Sequence, residues 1–350
     1  MPEAQMVSVG LLLSDVPVAS VSAAEQFADV LAIVEAGQEL GFDHFTIGQH
    51  FLYGEQRWLQ PVPLMARLAA EVDPHVRLVT NIIVAPLYHP VLLAEEIATL
   101  DVVTEGRLVF GAGLGYRAEE FDHLDVPFRQ RASRFDESLE LMRRLWTEDE
   151  VTHHGRHWRL DGVRPHLRPV QDPHPPIWIG AQALPGVRRC GRFGDGYATP
   201  PEATRADIAE RFAVVRDGFA ERGKAFRPQP LRRNVTLGAS RDEAVAEYAR
   251  VAQGKYLTYA RKGFEVMSGE DLERDFAATV ADHAVLGTPE QVTAELLGYV
   301  RDLPVDPLLV RLGWPPMSRR ENLDAMRLFG REVLPALRAQ PARRDLADPA

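Results

Sequence analysis

Val76-Arg-Leu-Val-Thr-Asn-Ile-Ile-Val84, His89-Pro-Val-Leu-Leu-Ala-Glu-Glu-Ile-Ala-Thr-Leu-Asp-Val-Val103 and Arg107-Leu-Val-Phe-Gly111 follow one another closely, and their reading decides the fold. The first is a continuous apolar run rich in β-branched residues, which is how a strand buried on both faces reads. The second spaces its apolar residues at a helical period, and the third is again a strand. Strand, helix and strand in such close order make one parallel crossover unit.

The same alternation extends in both directions. Upstream, Met6 to Leu13 predicts the first strand, and Ser22-Ala-Ala-Glu25 a capping box that opens a helix ended by Gly41. Phe42 to Ile47 predicts the second strand and Leu64 to Val72 the helix after it. Downstream come a helix over Ser133 to Trp146, a His/Arg/Pro-rich hairpin excursion over Val151 to Pro176, and a strand over Ile177 to Gly180. A short helix over Gly186 to Phe193, a strand over Asp195 to Thr199, a helix over Ala203 to Arg222 and a strand over Asn234 to Ala239 follow. Asp242 to Ala284 is longer than a crossover needs and reads as a helical insertion after strand seven. Thr288-Pro289 then starts a helix by N-cap and N1 chemistry, Pro307 to Leu312 is strand eight, and Ser318 to Leu337 closes the chain. Eight such units predict an α/β fold, a (β/α)8 TIM barrel, over the open doubly wound alternative. The barrel is expected as a single domain over 1–338, with 339–350 as a solvated tail.

Composition narrows the function. With 45% apolar and 26% charged residues the chain buries a large core, and the formal charge of −10 disfavours nucleic acid as a partner. Cys190 is the only cysteine, so no internal disulfide or cysteine-rich metal site exists. The N-terminus lacks a signal-peptide pattern and no apolar run is long enough to span a bilayer. A cytoplasmic protein without a membrane partner is expected.

In a barrel of this kind chemistry sits at the carboxyl ends of the strands. His50, just past strand two, is placed to exchange a proton near neutral pH, with Gln49 beside it; packing is the alternative for a lone histidine. Gly111-Ala-Gly113-Leu114-Gly115-Tyr116 lets backbone approach a ligand, or packs tightly for its own sake, and its third glycine position is a tyrosine, so it fails as a dinucleotide fingerprint. Gly180-Ala181-Gln182-Ala183 leads into a helix carrying Arg188 and Arg189, a phosphate cradle or an ordinary turn. Phe51, Trp58 and Trp314 lie near loop mouths and are expected to wall an apolar pocket. His153, His154 and His157 occupy a hairpin without carboxylate partners in a ligand pattern, so no metal is assigned. Hydrolase and NTPase motifs are absent.

Taken together, Gly41-Phe-Asp43 with Gln49-His50-Phe51, Pro86-Leu-Tyr-His-Pro90, Ala94 to Asp101, Glu105 to Tyr116, Glu119-Glu-Phe121, Arg134-Phe-Asp-Glu137, Pro175 to Gly180, Gly194-Asp-Gly196, Gly287-Thr-Pro-Glu290 and Glu332-Val-Leu-Pro335 resemble the bacterial luciferase-like monooxygenase family of flavin- or deazaflavin-dependent oxidoreductases. The resemblance runs from about residue 6 to 338. It implies a barrel with an insertion after strand seven, and reduced FMN, or alternatively coenzyme F420, at the carboxyl face. It also implies a non-proline cis peptide at Asn81-Ile82 with Ile82 behind the ring, and cofactor contacts from Gly113, Leu114, Gly115, Tyr116, Gly180, Ala181, Gln182 and Ala183. Two departures stand out: the first histidine of the family's Glu-His-His-Phe is Gln49, and the arginine and serine that hold the phosphate are Leu114 and Ala183. Phosphate binding then falls to backbone amides with Arg188 or Arg189.

The activity implied first is a two-component monooxygenase that takes reduced FMN from a partner flavin reductase and oxidises a small organic substrate with oxygen. Hydride transfer with coenzyme F420 is the alternative, and a non-catalytic flavin-binding subunit a third reading. In either enzyme His50 is the proton-exchanging catalytic group and Gln49 its neighbour. The insertion over 242–284 is expected as a lid, and a homodimer through barrel helices is implied by analogy. The loop residues Arg57, Gln60 and His89 suggest a mid-sized, partly apolar substrate.

Overall fold

The computed structural model describes residues 6–13, 16–17, 21–54, 56–261 and 269–343. Among these residues eight parallel strands follow one another in chain order: β1 (Val9–Leu12), β2 (His44–Ile47), β3 (Arg77–Val84), β4 (Leu108–Gly113), β5 (Ile177–Gly180), β6 (Gly196–Ala198), β7 (Gln229–Leu237) and β8 (Val305–Arg311). Each pairs in parallel with its successor from β1 to β6, and β8 bridges β7 and β1, as a (β/α)8 barrel requires.

The seam between β6 and β7 carries no ladder among the described residues. Side chains close it instead: the Tyr197 N–H donates to Gln229 Oε1 at 2.8 Å and the Arg232 N–H to Thr199 Oγ1 at 3.0 Å. The last residues of β7, Val235 to Leu237, pair with a short strand, Val285–Gly287, that returns from the insertion.

Helices separate the strands: α1 (Ala23–Leu40), α2 (Pro61–Leu68), α3 (Pro90–Val103), α4 (Arg131–Thr147), α5 (Leu184–Phe193), α6 (Arg205–Ala220), α7 (Pro289–Asp302) and α8 (Arg319–Glu332). Capping chemistry fixes where several begin. Ser22 with Glu25, and Thr288 with Gln291, form reciprocal capping boxes, and Gly41 ends α1 in the left-handed conformation at φ 90°. Each such cap contributes about 1 kcal/mol.

The barrel interior is narrow. Trp178 and Leu309 fill it with Val79, Val109 and Ala198, and glycines face the large groups. A Cβ on Gly10 would lie 2.5 Å from Leu309 Cδ2, and one on Gly196 would lie 2.7 Å from Trp178 Cδ1. A plugged interior leaves space for a ligand only at the strand ends, which is where the cavity lies.

Several boundaries differ from the sequence expectation. Strand seven begins at Gln229, because Arg232 and Arg233 interrupt the apolar pattern without interrupting the strand. Arg233 is buried with its terminal nitrogens donating to Pro201 O, Ala203 O and the Tyr299 hydroxyl, at 2.7–2.9 Å, while its Nε has no hydrogen-bond partner among the described residues. The second helix starts earlier, at Pro61, and stops at Leu68. The closing helix breaks at Val333, with Pro335 opening a second short helix over Leu334–Arg338.

Residues past 338 are not all solvated tail. Val7 N–H donates to Gln340 O at 2.9 Å and Met6 bridges Pro341, so residues 340–341 pack beside the residues that lead into β1. The remainder, 344–350, lies outside the described residues.

The insertion holds helices Arg241–Arg261, Gly269–Arg274 and Phe276–Val280, and its aromatic residues Tyr248, Tyr256 and Phe276 pack against Trp314 from the loop after β8. Asn234 Nδ2 donates to the Tyr256 hydroxyl at 2.8 Å, fastening the first of these helices to β7. The connection over 262–268, which the lid expectation includes, lies outside the described residues. Among the described residues no helix is long and apolar enough to cross a membrane.

Candidate active site

A cavity of about 640 Å³ opens at the carboxyl ends of the strands, within the size range of small-molecule sites. The sequence-predicted residues Gln49, His50, Trp58, Asn81, Ile82, Leu114, Gly115, Tyr116, Gly180, Ala181, Gln182, Ala183 and Trp314 all line it. Segments distant in sequence therefore meet as the barrel reading expects.

Two expected residues stand apart. Phe51 does not line the cavity: its ring turns toward Tyr88, with centroids 6.4 Å apart, while its main chain binds polar side chains behind His50. Gly113 lies beneath Ile82 instead of on the cavity wall, and a Cβ there would fall 1.9 Å from Ile82 Cδ1. Its role is to let Ile82 sit low.

The loop residues read as substrate contacts also serve the frame. Arg57 donates to Val21 O, Gln60 to His50 O, and His89 caps α3. Of the two arginines after β5, Arg189 lines the cavity and pairs with Asp136 at 2.6 Å, whereas Arg188 is exposed outside it. In the hairpin, His153 pairs with Glu137 and His154 with Asp161, while His157 meets the Ser133 hydroxyl.

His50 is held by a carboxylate that sequence reasoning missed. Glu120 Oε1 stands 3.0 Å from His50 Nδ1, and it also accepts from the Phe51 N–H at 2.9 Å and Arg117 Nη1 at 3.3 Å. Because the other two partners can only donate, Oε1 is an acceptor and Nδ1 carries the proton toward it. That leaves Nε2 of the neutral ring as the lone-pair nitrogen. The rings of Tyr53, Trp58 and Tyr116 stand 4.5, 4.8 and 5.7 Å from His50 and box it in.

Arg117 and Glu120 are both buried, and the Arg117 guanidinium also binds Glu119 and Phe51 O and lies 4.4 Å over Tyr53. Burial pushes the Tyr53 and Tyr116 hydroxyls well above the ordinary tyrosine range, so both stay protonated. The only sequence signal for this brace was the Glu119-Glu120-Phe121 segment, which carried part of the family resemblance and no assigned role.

Gln49 is fully engaged. Its Oε1 accepts from the Val84 N–H at 3.0 Å, and its Nε2 donates to the Tyr88 hydroxyl at 2.6 Å and to Gln60 Oε1 at 3.2 Å. It fixes the loop after β2 to the end of β3, and through Gln60 it steadies His50.

The Asn81–Ile82 peptide is cis. Asn81 lines the cavity with both side-chain polar atoms buried and without a hydrogen-bond partner among the described residues. Buried amides are rarely left so, and a flat heteroaromatic ring with donors and acceptors on its edge would satisfy them. Ile82 gives that ring an apolar support, and the glycines around it leave the depth: a Cβ on Gly180 would come within 2.8 Å of Ile82 Cγ2. The residues present therefore fit a flavin or deazaflavin. Asn81 and Ile82 would hold its ring, and Leu114 to Tyr116 with Gly180 to Ala183 its tail.

On the far side of the mouth, β7, β8 and the insertion supply Arg232, Asn234, Arg311, Lys255, Tyr256 and Tyr259, with Glu202 from the loop after β6. Burial pushes the Glu202 carboxyl up and the Arg232 guanidinium down from their ordinary ranges, and the attraction between the two opposes both shifts.

The family model described as luciferase-like monooxygenase matches residues 6–306, and the chain belongs to that family. The F420-dependent glucose-6-phosphate dehydrogenase of Amycolatopsis mediterranei is 26% identical over 337 residues, 91% of this chain and 97% of that one. Among solved structures, the monooxygenase RslO1 of Streptomyces bottropensis superposes with TM-score 0.83 at 27% identity, covering 94% of this chain and 99% of its own. The oxygenating constituent of 3,6-diketocamphane monooxygenase of Pseudomonas putida, solved with FMN, superposes with TM-score 0.79 at 18% identity, covering 95% and 99%. The protein is thus an enzyme of a family whose members are flavin- or F420-dependent oxidoreductases and monooxygenases.

Proposed function

We propose that the chain is the oxygenating component of a two-component monooxygenase that takes reduced FMN from a partner flavin reductase. The observation that carries this is His50, held by Glu120, in one cavity with the unsatisfied Asn81 amide and Ile82. The 27% identity to a monooxygenase over nearly the whole chain supports oxygenation. Reduced FMN, when bound, supplies the two electrons by which one oxygen atom enters the substrate and the other leaves as water.

The chain's own part is binding, orientation and proton handling. Ile82, Trp58 and Trp314 exclude water from the reacting face, which strengthens every polar contact within it. His50 takes up or gives a proton at Nε2, while Glu120 keeps Nδ1 protonated and steadies the imidazolium that forms. Arg117 stands behind Glu120 so that its charge is not isolated on burial. The Asn81 amide orients the ring edge.

Hydride transfer with coenzyme F420 is the second reading, favoured by the F420-dependent relative and by the cations on the far wall, and His50 then serves the substrate oxygen. Oxygen uptake coupled to product, with reduced FMN supplied by an NADH-driven flavin reductase and a panel of mid-sized organic substrates, tests the proposal. His50→Ala is expected to lose on the order of 100-fold in turnover while still binding flavin. Equal turnover in the variant, or product formed only with coenzyme F420, overturns it.

A further inference from the structure

We propose that Glu202 and Asn234 form a hydrogen-bond-accepting subsite in the cavity, so that the enzyme takes substrates with a mid-sized apolar body bearing a neutral hydroxyl, an alcohol or a phenol. The inference rests on the reading of this cavity as the active site and names the substrate class it takes.

The order of hydrogen bonds at this corner is the first ground. Glu202 from the loop after β6 and Asn234 from β7 both line the cavity, and both close on the Tyr256 hydroxyl. Tyr256 has a single hydroxyl hydrogen and gives it to Glu202 Oε1 at 3.3 Å. It therefore accepts from Asn234 Nδ2 at 2.8 Å and from the Tyr248 hydroxyl at 2.9 Å. Each side chain spends one polar atom on Tyr256 and keeps a second, Glu202 Oε2 and Asn234 Oδ1, which is buried without a hydrogen-bond partner among the described residues. Both remaining atoms are acceptors, so the partner they lack must donate.

Burial and support are the second. Glu202 is 4% exposed and Asn234 1%. Buried acceptors left unpaired are costly, and a ligand that brings a donor recovers that cost. The pair is also held in place. Tyr256 packs on Phe276 and Trp314 with ring centroids 6.0 and 6.2 Å apart, and His283 Nδ1 donates to the main-chain oxygen of Glu202.

Charge and shape decide which donor fits. Arg232, Lys255 and Arg311 line the same sector and disfavour an ammonium group, which leaves the hydroxyl. Burial pushes the Glu202 carboxyl up, and the charges of Arg232 and Arg311 draw it back toward the ionised form. An ionised carboxylate accepts from a hydroxyl in the stronger, charge-assisted manner. Trp58, Tyr259 and Trp314 line the cavity as well and suit an apolar body behind that hydroxyl.

The test is an anaerobic calorimetric titration of the intact protein, at about pH 8 to keep Glu202 ionised, with thymol and with thymol methyl ether. Each is titrated alone and after saturation with reduced FMN or reduced coenzyme F420. The subsite predicts that thymol binds about tenfold or more tightly than its ether, because a site built to accept a hydroxyl rejects the analogue lacking it. Glu202→Gln turns an N–H toward the cavity and should abolish the difference by weakening thymol, with ether and cofactor affinities within about twofold. Should that variant not fold, Asn234→Leu, similar in size and without an acceptor, carries the same comparison. Equal binding of thymol and ether, with cofactor still bound, overturns the subsite and leaves the proposed function standing. Absence of thymol binding, or a preference that persists in the variant, also overturns it. Displacement of thymol by cofactor does the same, since the two acceptors would then serve the cofactor. Preference for thymol without binding of either cofactor keeps the subsite and refutes the cofactor reading.

Discussion

Replacing Gly113 by alanine tests the packing beneath the proposed ring site. The added Cβ would lie 1.9 Å from Ile82 Cδ1, 3.3 Å from Ile82 Cγ1 and 3.1 Å from Gly180 O. The carbonyl belongs to a ladder and cannot retreat, so Ile82 must move, and the open side is the cavity. Overpacking of this kind costs about 1–3 kcal/mol. An Ile82 side chain raised into the ring's place should weaken reduced-FMN binding by about tenfold or more, since about 1.4 kcal/mol is a factor of ten. Ile82→Val removes the clashing Cδ1, so the double variant should regain most of what Gly113→Ala loses, with a coupling of about 1 kcal/mol. Urea denaturation and anaerobic fluorescence titration of the four proteins read the two effects separately. Additive losses in stability, or flavin affinity untouched in Gly113→Ala, would refute the placement of Ile82 as the ring's support.

Other consequences are simpler to state. Glu120→Gln keeps an acceptor for the Phe51 N–H but removes the charge between His50 and Arg117, which should cost about 3 kcal/mol of stability and lower turnover, both read on one preparation. Burial holds His44 down to about 3 from an ordinary 6.5. Its stabilising contribution is therefore whole above pH 6.5 and lost as pH falls from 6.5 toward 3, a change on the order of 5 kcal/mol; urea midpoints against pH should flatten over that window in His44→Leu. Phe51→Leu should shift stability through its contact with Tyr88 while leaving the Michaelis constant for substrate within about twofold, because a side chain outside the cavity makes no ligand contact; a larger change would place the ring in the site.

The barrel was legible because its signals are local. Apolar runs such as Val76 to Val84, capping boxes at Ser22 and Thr288, and the glycine stop at Gly41 are each set by neighbours a few residues away. The glycine loops after β4 and β5 were legible for the same reason: close backbone approach needs glycine. Strand seven was read short because a run containing Arg232 and Arg233 does not look buried, and only the partners supplied by Pro201, Ala203 and Tyr299 make one of them so. Glu120 was missed because it lies 70 residues from His50 and its segment has the composition of a solvated turn. The alternation of Arg232 and Asn234 about Arg233 was the readable trace of the far wall. It is informative only once the strand is known to span them.

The central claim, a reduced-flavin site on the carboxyl face of the barrel, is tested most directly by anaerobic fluorescence titration with reduced FMN and with reduced coenzyme F420. The account predicts saturable, selective binding of reduced FMN, weakened in Gly113→Ala and preserved in His50→Ala. Selective binding of coenzyme F420, or binding of neither, would contradict it.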